Sequence, residues 1–259
     1  MRYKIRLSYD GSAFCGWQIQ NNAVTVQGEL QNALEKLAGG PILVTGAGRT
    51  DTDVNSINYI AHFDLPDAVG IEAPQLCYKL NAILSQKIVI HEVTEAEENF
   101  HARFDATSRE YRYFIHVCKD PFAEKFSYRM RNYLDINKMN TAAKLIIGEH
   151  DFSCFEKTGG NNTTSICTVS DAYWEIYRPQ HAQMLGYPYN EGDYIVFTVR
   201  ANRFLRNMVR AMVGSLIEVG RGKQSPDWIG NLIRSGSRSD AGMSVPGKAL
   251  FFCGAQYQK

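Results

Sequence analysis

The sequence predicts an α+β fold of two similar halves, with mostly antiparallel sheets flanked by helices and an active-site cleft between the halves. In each half, segments with apolar residues at every second position, typical of half-buried strands, flank a capped amphipathic helix. The strands and helices do not alternate strictly, as a parallel βαβ fold would require. The same order of elements begins again near residue 100, although no repeat of residues accompanies it.

The first half begins with a strand that has one apolar face. Tyr3, Ile5, Leu7 and Tyr9 alternate with polar and basic residues, so the other face is predicted to be solvated. Further strands are predicted at 41–44, 57–64 and 87–93. Two helices are predicted between them, at 26–38 with Thr25 as the cap and at 74–84 with a proline in the first turn.

The second half follows the same scheme with a longer C-terminal helix. The predicted strands are 111–117, 166–177, 193–200 and 249–257, with a hairpin joining the middle pair. The predicted helices are 136–146 after the cap Asp135 and closed by Gly148, 204–219 and 225–233. Segment 157–165 is predicted as a mobile loop. We place the halves at residues 1–103 and 104–259, the second carrying a tyrosine-rich strand and a basic helix.

Composition indicates a soluble protein of the cytoplasm. The 259 residues are 44% hydrophobic and 21% charged, with a formal net charge of +1, which neither favours nor excludes nucleic acid as a partner. Six cysteines lie apart, without a Cys-x-x-Cys pair, which favours reduced thiols over a disulfide framework or zinc site. No signal peptide and no apolar run of membrane-spanning length is recognised.

The loop Gly46–Asp53 is the first candidate site, since it places an arginine and two carboxylates between predicted strands. Arg49 is a permanent cation whose planar guanidinium suits phosphate or carboxylate. Asp51 and Asp53 could bind a divalent cation with the phosphates of a nucleotide sugar, form a glycosidase pair, or leave one aspartate as nucleophile or base. A solvated surface hairpin is an equally good interpretation of these residues alone.

The predicted helix 204–219 is the second candidate. Arg203, Asn207 and Arg210 would lie on one line along it, with Arg206 adjacent. Arginines beside aromatic residues suit a phosphate backbone. The commoner alternative for such a cluster is the solvated face of an amphipathic helix.

Four motifs in this order resemble the tRNA pseudouridine synthase A (TruA) family, over nearly the whole chain. They are Tyr9-Asp10-Gly11 with Gly16-Trp17-Gln18, Gly48-Arg49-Thr50-Asp51, Phe100-His101-Ala102-Arg103-Phe104 with Tyr111-Arg112-Tyr113, and 201–210 with Val213-Gly214 and Glu218-Val219-Gly220. The resemblance implies isomerisation of uridine to pseudouridine at positions 38 to 40 of the tRNA anticodon stem-loop. It implies tRNA as partner, a cytoplasmic homodimer, and neither cofactor nor metal.

The resemblance also assigns roles to residues. It implies that Asp51 is the catalytic aspartate, that Tyr111 packs on the base and is a candidate for the final deprotonation, and that Arg210 forms an ion pair with Asp51. Arg49, Arg203 and Arg206 are implied to bind the substrate, as is Tyr111.

The chain departs from the family pattern after Asp51. Asp53 and Asn55 stand where the family usually has glycine and histidine, and Asp53 adds a second negative charge beside Asp51. An aspartate fits at 53 if the backbone there is left-handed, a region that aspartate visits more readily than most residues. Thr164 and Ser165 also stand where an arginine is common. These departures motivate one alternative, a catalytically weak tRNA-binding paralogue with altered targets.

Overall fold

The computed structural model describes residues 1–159 and 163–258, which form two compact units. The first unit contains residues 1–109 and 251–259, and the second contains residues 110–250. In each unit, helices pack on mostly antiparallel strands, which confirms the α+β class. Residues 160–162, part of the predicted loop 157–165, lie outside the described residues.

The described residues form ten strands and six α-helices, numbered in chain order. The strands are β1 (Arg2–Tyr9), β2 (Val44–Gly46), β3 (Asn55–Asp64), β4 (Ile88–Glu95), β5 (Ala106–His116), β6 (Tyr128–Arg129), β7 (Gly148–Asp151), β8 (Ile166–Ile176), β9 (Tyr194–Ala201) and β10 (Leu250–Tyr257). The helices are α1 (Val26–Ala38), α2 (Ala73–Ile83), α3 (Ile136–Lys144), α4 (Gln180–Leu185), α5 (Met208–Gly220) and α6 (Asp227–Ser235).

In the first unit, β1 lies between β4 and β3 and is antiparallel to both. Strand β2 adds to β3, and β10 runs parallel to β3 with Phe251 opposite Asn55. Every second residue of β1 is buried, from Tyr3 to Tyr9, as the alternation predicts. The loop that joins β2 to β3 therefore starts and ends on a strand with a partner.

The capping residues fix where helices begin. The Thr25 hydroxyl accepts a hydrogen bond from Gly28 N, and the Asp135 carboxylate accepts one from Lys138 N, so α1 and α3 start as predicted. Helix α3 ends at Lys144, earlier than predicted, and Gly148 instead opens β7.

In the second unit, the strands follow the order β5, β9, β8, β7, with β6 parallel to β5. Helix α3 packs on β8 and α5. The predicted hairpin between β8 and β9 is antiparallel, but its connection carries the short helix α4, which the sequence did not predict.

Other predicted boundaries were also wrong, among them the starts of β2 and α5. Strand β2 begins at Val44 rather than residue 41 and continues to Gly46. Helix α5 begins at Met208, because Asn207 before it has a left-handed backbone with φ of 64°. Arg203 and Asn207 therefore precede the helix and do not share a line along it with Arg210, and Arg206 precedes the helix as well. Within the described residues, no helix is both long and apolar enough to cross a membrane.

Candidate active site

The loop from Gly46 to Val54 is held by aromatic residues of the surrounding strands. The hydroxyls of Tyr9 and Thr50 are buried and hydrogen-bonded at 2.9 Å. The Tyr59 hydroxyl donates to the Gly48 carbonyl. These contacts fix the backbone directly before Asp51 from two strands, β1 and β3.

The segment after β1 packs against the same loop. Trp17 N donates to the Thr50 carbonyl at 3.2 Å, and the Trp17 ring stacks on Tyr59 with centroids 4.1 Å apart. Gly16 has φ of +89°, and a Cβ there would lie 2.4 Å from the Thr50 oxygen. A Cβ on Gly46 would lie 2.3 Å from the Tyr59 hydroxyl. Both glycines are thus required for this close packing.

We expect Gly16→Ala to destabilise the protein by about 2–4 kcal/mol, since the change combines a positive φ with a clash against main chain. Gly39→Ala is the matched control: Gly39 has φ of +72°, but no atom lies within 4 Å of an added Cβ. That variant should lose only the backbone term, about 1–2 kcal/mol. Urea unfolding of both variants measures the difference, and equal losses would contradict a steric role for Gly16.

The charged residues of the loop differ in their environment. Asp51 is half-buried, and its carbonyl accepts a hydrogen bond from Val54 N at 3.2 Å. Arg49 and Asp53 are exposed. The backbone of Asp53 is left-handed, with φ of 65°, which is the condition under which aspartate fits at this position. The buried Asn55 accepts a hydrogen bond from Gly11 N at 2.9 Å, so it joins the loop to the segment after β1.

In the second unit, Tyr111 lies on β5 and is 7% exposed. Its ring meets Phe204 edge-on, with centroids 5.0 Å apart. Arg203 is half-buried beside Phe204 in the chain, whereas Arg206 is exposed and its Nη1 lies 3.5 Å from the Thr158 carbonyl. The segment before α5 therefore brings an aromatic ring to Tyr111.

Arg210 lies in the first turn of α5, and its Nε donates to the Val245 carbonyl at 2.8 Å. The segment 236–246 that supplies this carbonyl is fastened by Ser244, whose hydroxyl accepts from Asn207 Nδ2 at 2.6 Å and from Arg238 Nη2 at 2.7 Å. These contacts orient the Arg210 guanidinium.

The charged residues of the candidate loop were predicted from the sequence, whereas the contacts by which Tyr9, Trp17 and Tyr59 hold the loop were not. Tyr59 could have been noticed, because it lies on the apolar face of the predicted strand 57–64. Asn55 was named only as a departure from the family pattern, because the predicted strand did not reach it. Ser244 carries no such signal. Across residues 1–159 and 163–258, no group of three or more His, Cys, Asp or Glu side chains is placed to hold a metal ion.

Comparison with known families gives the class of protein. Residues 142–258 match a family model described as tRNA pseudouridine synthase. The matched region includes α5 with Arg210, together with Arg203 and Arg206. The class indicated is pseudouridine synthase.

The relatives define the family more narrowly. Proteins named tRNA pseudouridine synthase A from Parabacteroides distasonis and Bacteroides fragilis are 42% and 41% identical to this chain, over 99% of its length and 96% of theirs. The chain belongs to the tRNA pseudouridine synthase A family. Among solved structures, a chain of an archaeal box H/ACA sRNP Nop10–Cbf5 complex is 11% identical to this chain, with a TM-score of 0.34. The match covers 83% of this chain and 44% of that chain.

Proposed function

We propose that the protein isomerises uridine to pseudouridine in tRNA, at uridines of the anticodon stem-loop, with Asp51 as the essential catalytic residue. The activity is supported by family membership over nearly the full chain. The observation that carries the assignment to Asp51 is the loop around it, whose backbone is held by Tyr9, Tyr59 and Trp17. Such preorganisation suits a residue that must meet a reacting atom.

The proposed reaction is balanced without a co-reactant. The bond between N1 of uracil and C1′ of ribose breaks, the uracil turns, and a bond forms between C5 and C1′. The C5 proton leaves and N1 takes up a proton, so the product is an isomer of the substrate. Breaking the first bond creates positive charge on the sugar, which a nearby carboxylate stabilises, as in glycoside hydrolysis.

We assign the catalytic roles to residues of both units. The Asp51 carboxylate acts on the nucleotide as the glycosidic bond breaks. Tyr111, a buried ring on a strand, packs on the base. Its oxygen takes the C5 proton as its own hydroxyl proton passes to solvent, from which N1 takes up a proton. Arg210, whose Nε is anchored to Val245, forms an ion pair with the Asp51 carboxylate.

Substrate binding is assigned to Arg49, Arg203 and Arg206, together with Tyr111. Arg49 and Arg206 are exposed, so phosphates can reach them. Extruding a base from a stacked loop costs a few kcal/mol, which these backbone contacts offset. We further propose that the protein acts as a cytoplasmic homodimer without cofactor or metal, so turnover should be unchanged in excess chelator.

No observation favours the weak tRNA-binding paralogue. Two of the departures that motivated it are Asp53 and Asn55, and the loop accommodates both. Asp53 has the left-handed backbone that it needs, and Asn55 accepts a hydrogen bond inside the fold. We therefore propose an active enzyme.

Mapping of pseudouridine in tRNA from cells that lack this protein tests the proposal. We expect specific positions in the anticodon stem-loop to lose pseudouridine, and a plasmid copy of the gene to restore them. A plasmid carrying Asp51→Asn should not restore them, although the protein accumulates. A modification pattern unchanged by deletion would refute the proposed function, and loss only outside the anticodon stem-loop would refute the assigned target.

A further inference from the structure

The turn 101–105 of the first unit presents an aromatic side chain to solvent. Phe104 is 74% exposed, and the neighbouring Arg103 is exposed as well. A single exposed apolar side chain is ordinary on a protein surface, so the surroundings of Phe104 decide its meaning.

The backbone amides of the turn are tied down by hydrogen bonds to side chains. The amides of Arg103 and Phe104 both donate to His101 Nδ1 at 3.2 Å, and Ala102 N donates to His62 Nδ1 at 3.1 Å. Burial, with a smaller effect of His101, lowers the pKa of His62 to about 4, so at neutral pH its imidazole is uncharged and can accept this bond. Phe104 is thus held in place while its ring remains exposed.

Arg109 fastens this turn to the loop of Asp51. Its guanidinium donates to the carbonyls of Arg103 and Ala106 on one side, and to the Ala47 carbonyl at 3.3 Å on the other. Ala47 precedes Asp51 by four residues, a distance of about 14 Å at full extension. The turn and the candidate catalytic loop are therefore neighbours within one unit.

The ring of Phe104 packs against two neighbouring side chains, those of His101 and Arg103. The His101 ring lies against it, with centroids 4.2 Å apart and an interplanar angle of 30°. The Arg103 guanidinium lies 5.7 Å from the Phe104 centroid. An exposed aromatic face beside an arginine is the chemistry that binds an unpaired nucleotide, since the ring stacks on the base and the cation contacts the phosphate.

We propose that Phe104, supported by His101 and flanked by Arg103, is a stacking platform for an unpaired base of the substrate RNA, near the uridine that is isomerised. The proposal rests on the proposed function, because it assigns tRNA as the ligand. It adds a binding contact outside the residues assigned above. A platform fixed to the catalytic loop sets how the RNA strand lies relative to Asp51.

Binding of RNA hairpins tests the platform. The probes are a fluorescein-labelled anticodon stem-loop and a set in which one unpaired loop nucleotide at a time is abasic. For the wild type, we expect one abasic position to weaken binding about tenfold. Phe104→Ala should weaken binding of the intact hairpin by a similar factor. This variant should bind the hairpin with that abasic position no more weakly than it binds the intact hairpin. Phe104→Trp should keep wild-type affinity, and Phe104→Leu should resemble alanine, because stacking needs a π face.

Tyr78→Ala is the matched control, since Tyr78 is an aromatic residue on α2 that is 76% exposed. It should bind every hairpin as the wild type does. The platform is refuted if Phe104→Ala also binds every hairpin as the wild type does. It is refuted as well if the losses of affinity from Phe104→Ala and from the abasic nucleotide add independently. A change of oligomeric state in Phe104→Ala, measured by sedimentation, would refute it too. Wild-type protein that makes no pseudouridine in tRNA would refute the proposed function instead, so the two failures are distinct.

Discussion

The Asp51→Asn variant should lose pseudouridine formation by at least about 100-fold, because it removes the charge that stabilises the transition state. Asparagine has nearly the same shape, and the main-chain hydrogen bond from Val54 to the residue 51 carbonyl remains possible. The hydroxyls of Tyr9 and Tyr59 still hold the loop. We therefore expect the variant to bind tRNA with an affinity close to that of the wild type.

Tritium release measures this loss directly, because the C5 hydrogen of uridine leaves during the reaction. The substrate is tRNA transcribed with uridine labelled at C5, in single-turnover conditions with enzyme in excess. Asp53→Asn is the matched control, because it removes an exposed carboxylate only two residues from Asp51. Asparagine also tolerates the φ of 65° at this position. This variant should react within about threefold of the wild type. Tritium release at the wild-type rate by Asp51→Asn would exclude a catalytic role for Asp51. A hundredfold slower release by Asp53→Asn would show that the role had been assigned to the wrong carboxylate.

The regular elements were predictable because their periodicity is local. Strand β1 shows this most clearly, since its alternation in sequence is repeated in its burial. The starts of α1 and α3 were predictable for the same reason: Thr25 and Asp135 each cap an amide three residues on. The α+β class followed from the order of these elements.

The start of α5 was not predictable, because the apolar stripe continues in sequence through Phe204 and Leu205. The interruption is a left-handed Asn207, whose amide is hydrogen-bonded to Ser244, a residue 37 positions away. Such a contact depends on tertiary structure, and local propensity is overridden by it. The consequence for the site is that only Arg210 of the three aligned residues is helical.

The charged residues of the candidate loop could be proposed from the sequence, whereas the contacts that hold the loop could not. Gly48-Arg49-Thr50-Asp51 could be recognised by resemblance, whereas the contacts of Tyr59 and Asn55 with the loop required coordinates. Both supports are buried and join segments distant in sequence. The left-handed backbone at Asp53 is intermediate. The sequence indicated only that aspartate fits there if the backbone is left-handed, and the structure has this conformation.

Tyr111→Phe should slow pseudouridine formation by about 100-fold or more, because it removes a hydroxyl proposed to take the C5 proton while keeping the ring that packs on the base. The contact of ring 111 with Phe204 should persist, so tRNA binding should change little. Tyr111→Leu should weaken binding as well, because it removes the ring.

An isotope effect separates this role from a merely structural one. If proton removal from C5 becomes rate-limiting in Tyr111→Phe, tRNA with deuterium at C5 should react more slowly than unlabelled tRNA, and by a larger factor than in the wild type. Tyr113→Phe is the matched control on the same face of β5, since its buried hydroxyl donates to the Pro246 carbonyl at 3.0 Å. It should cost about 1 kcal/mol of stability and leave the isotope effect unchanged. An isotope effect in Tyr111→Phe equal to that of the wild type would show that another group removes the proton, and would leave Tyr111 as a binding residue only.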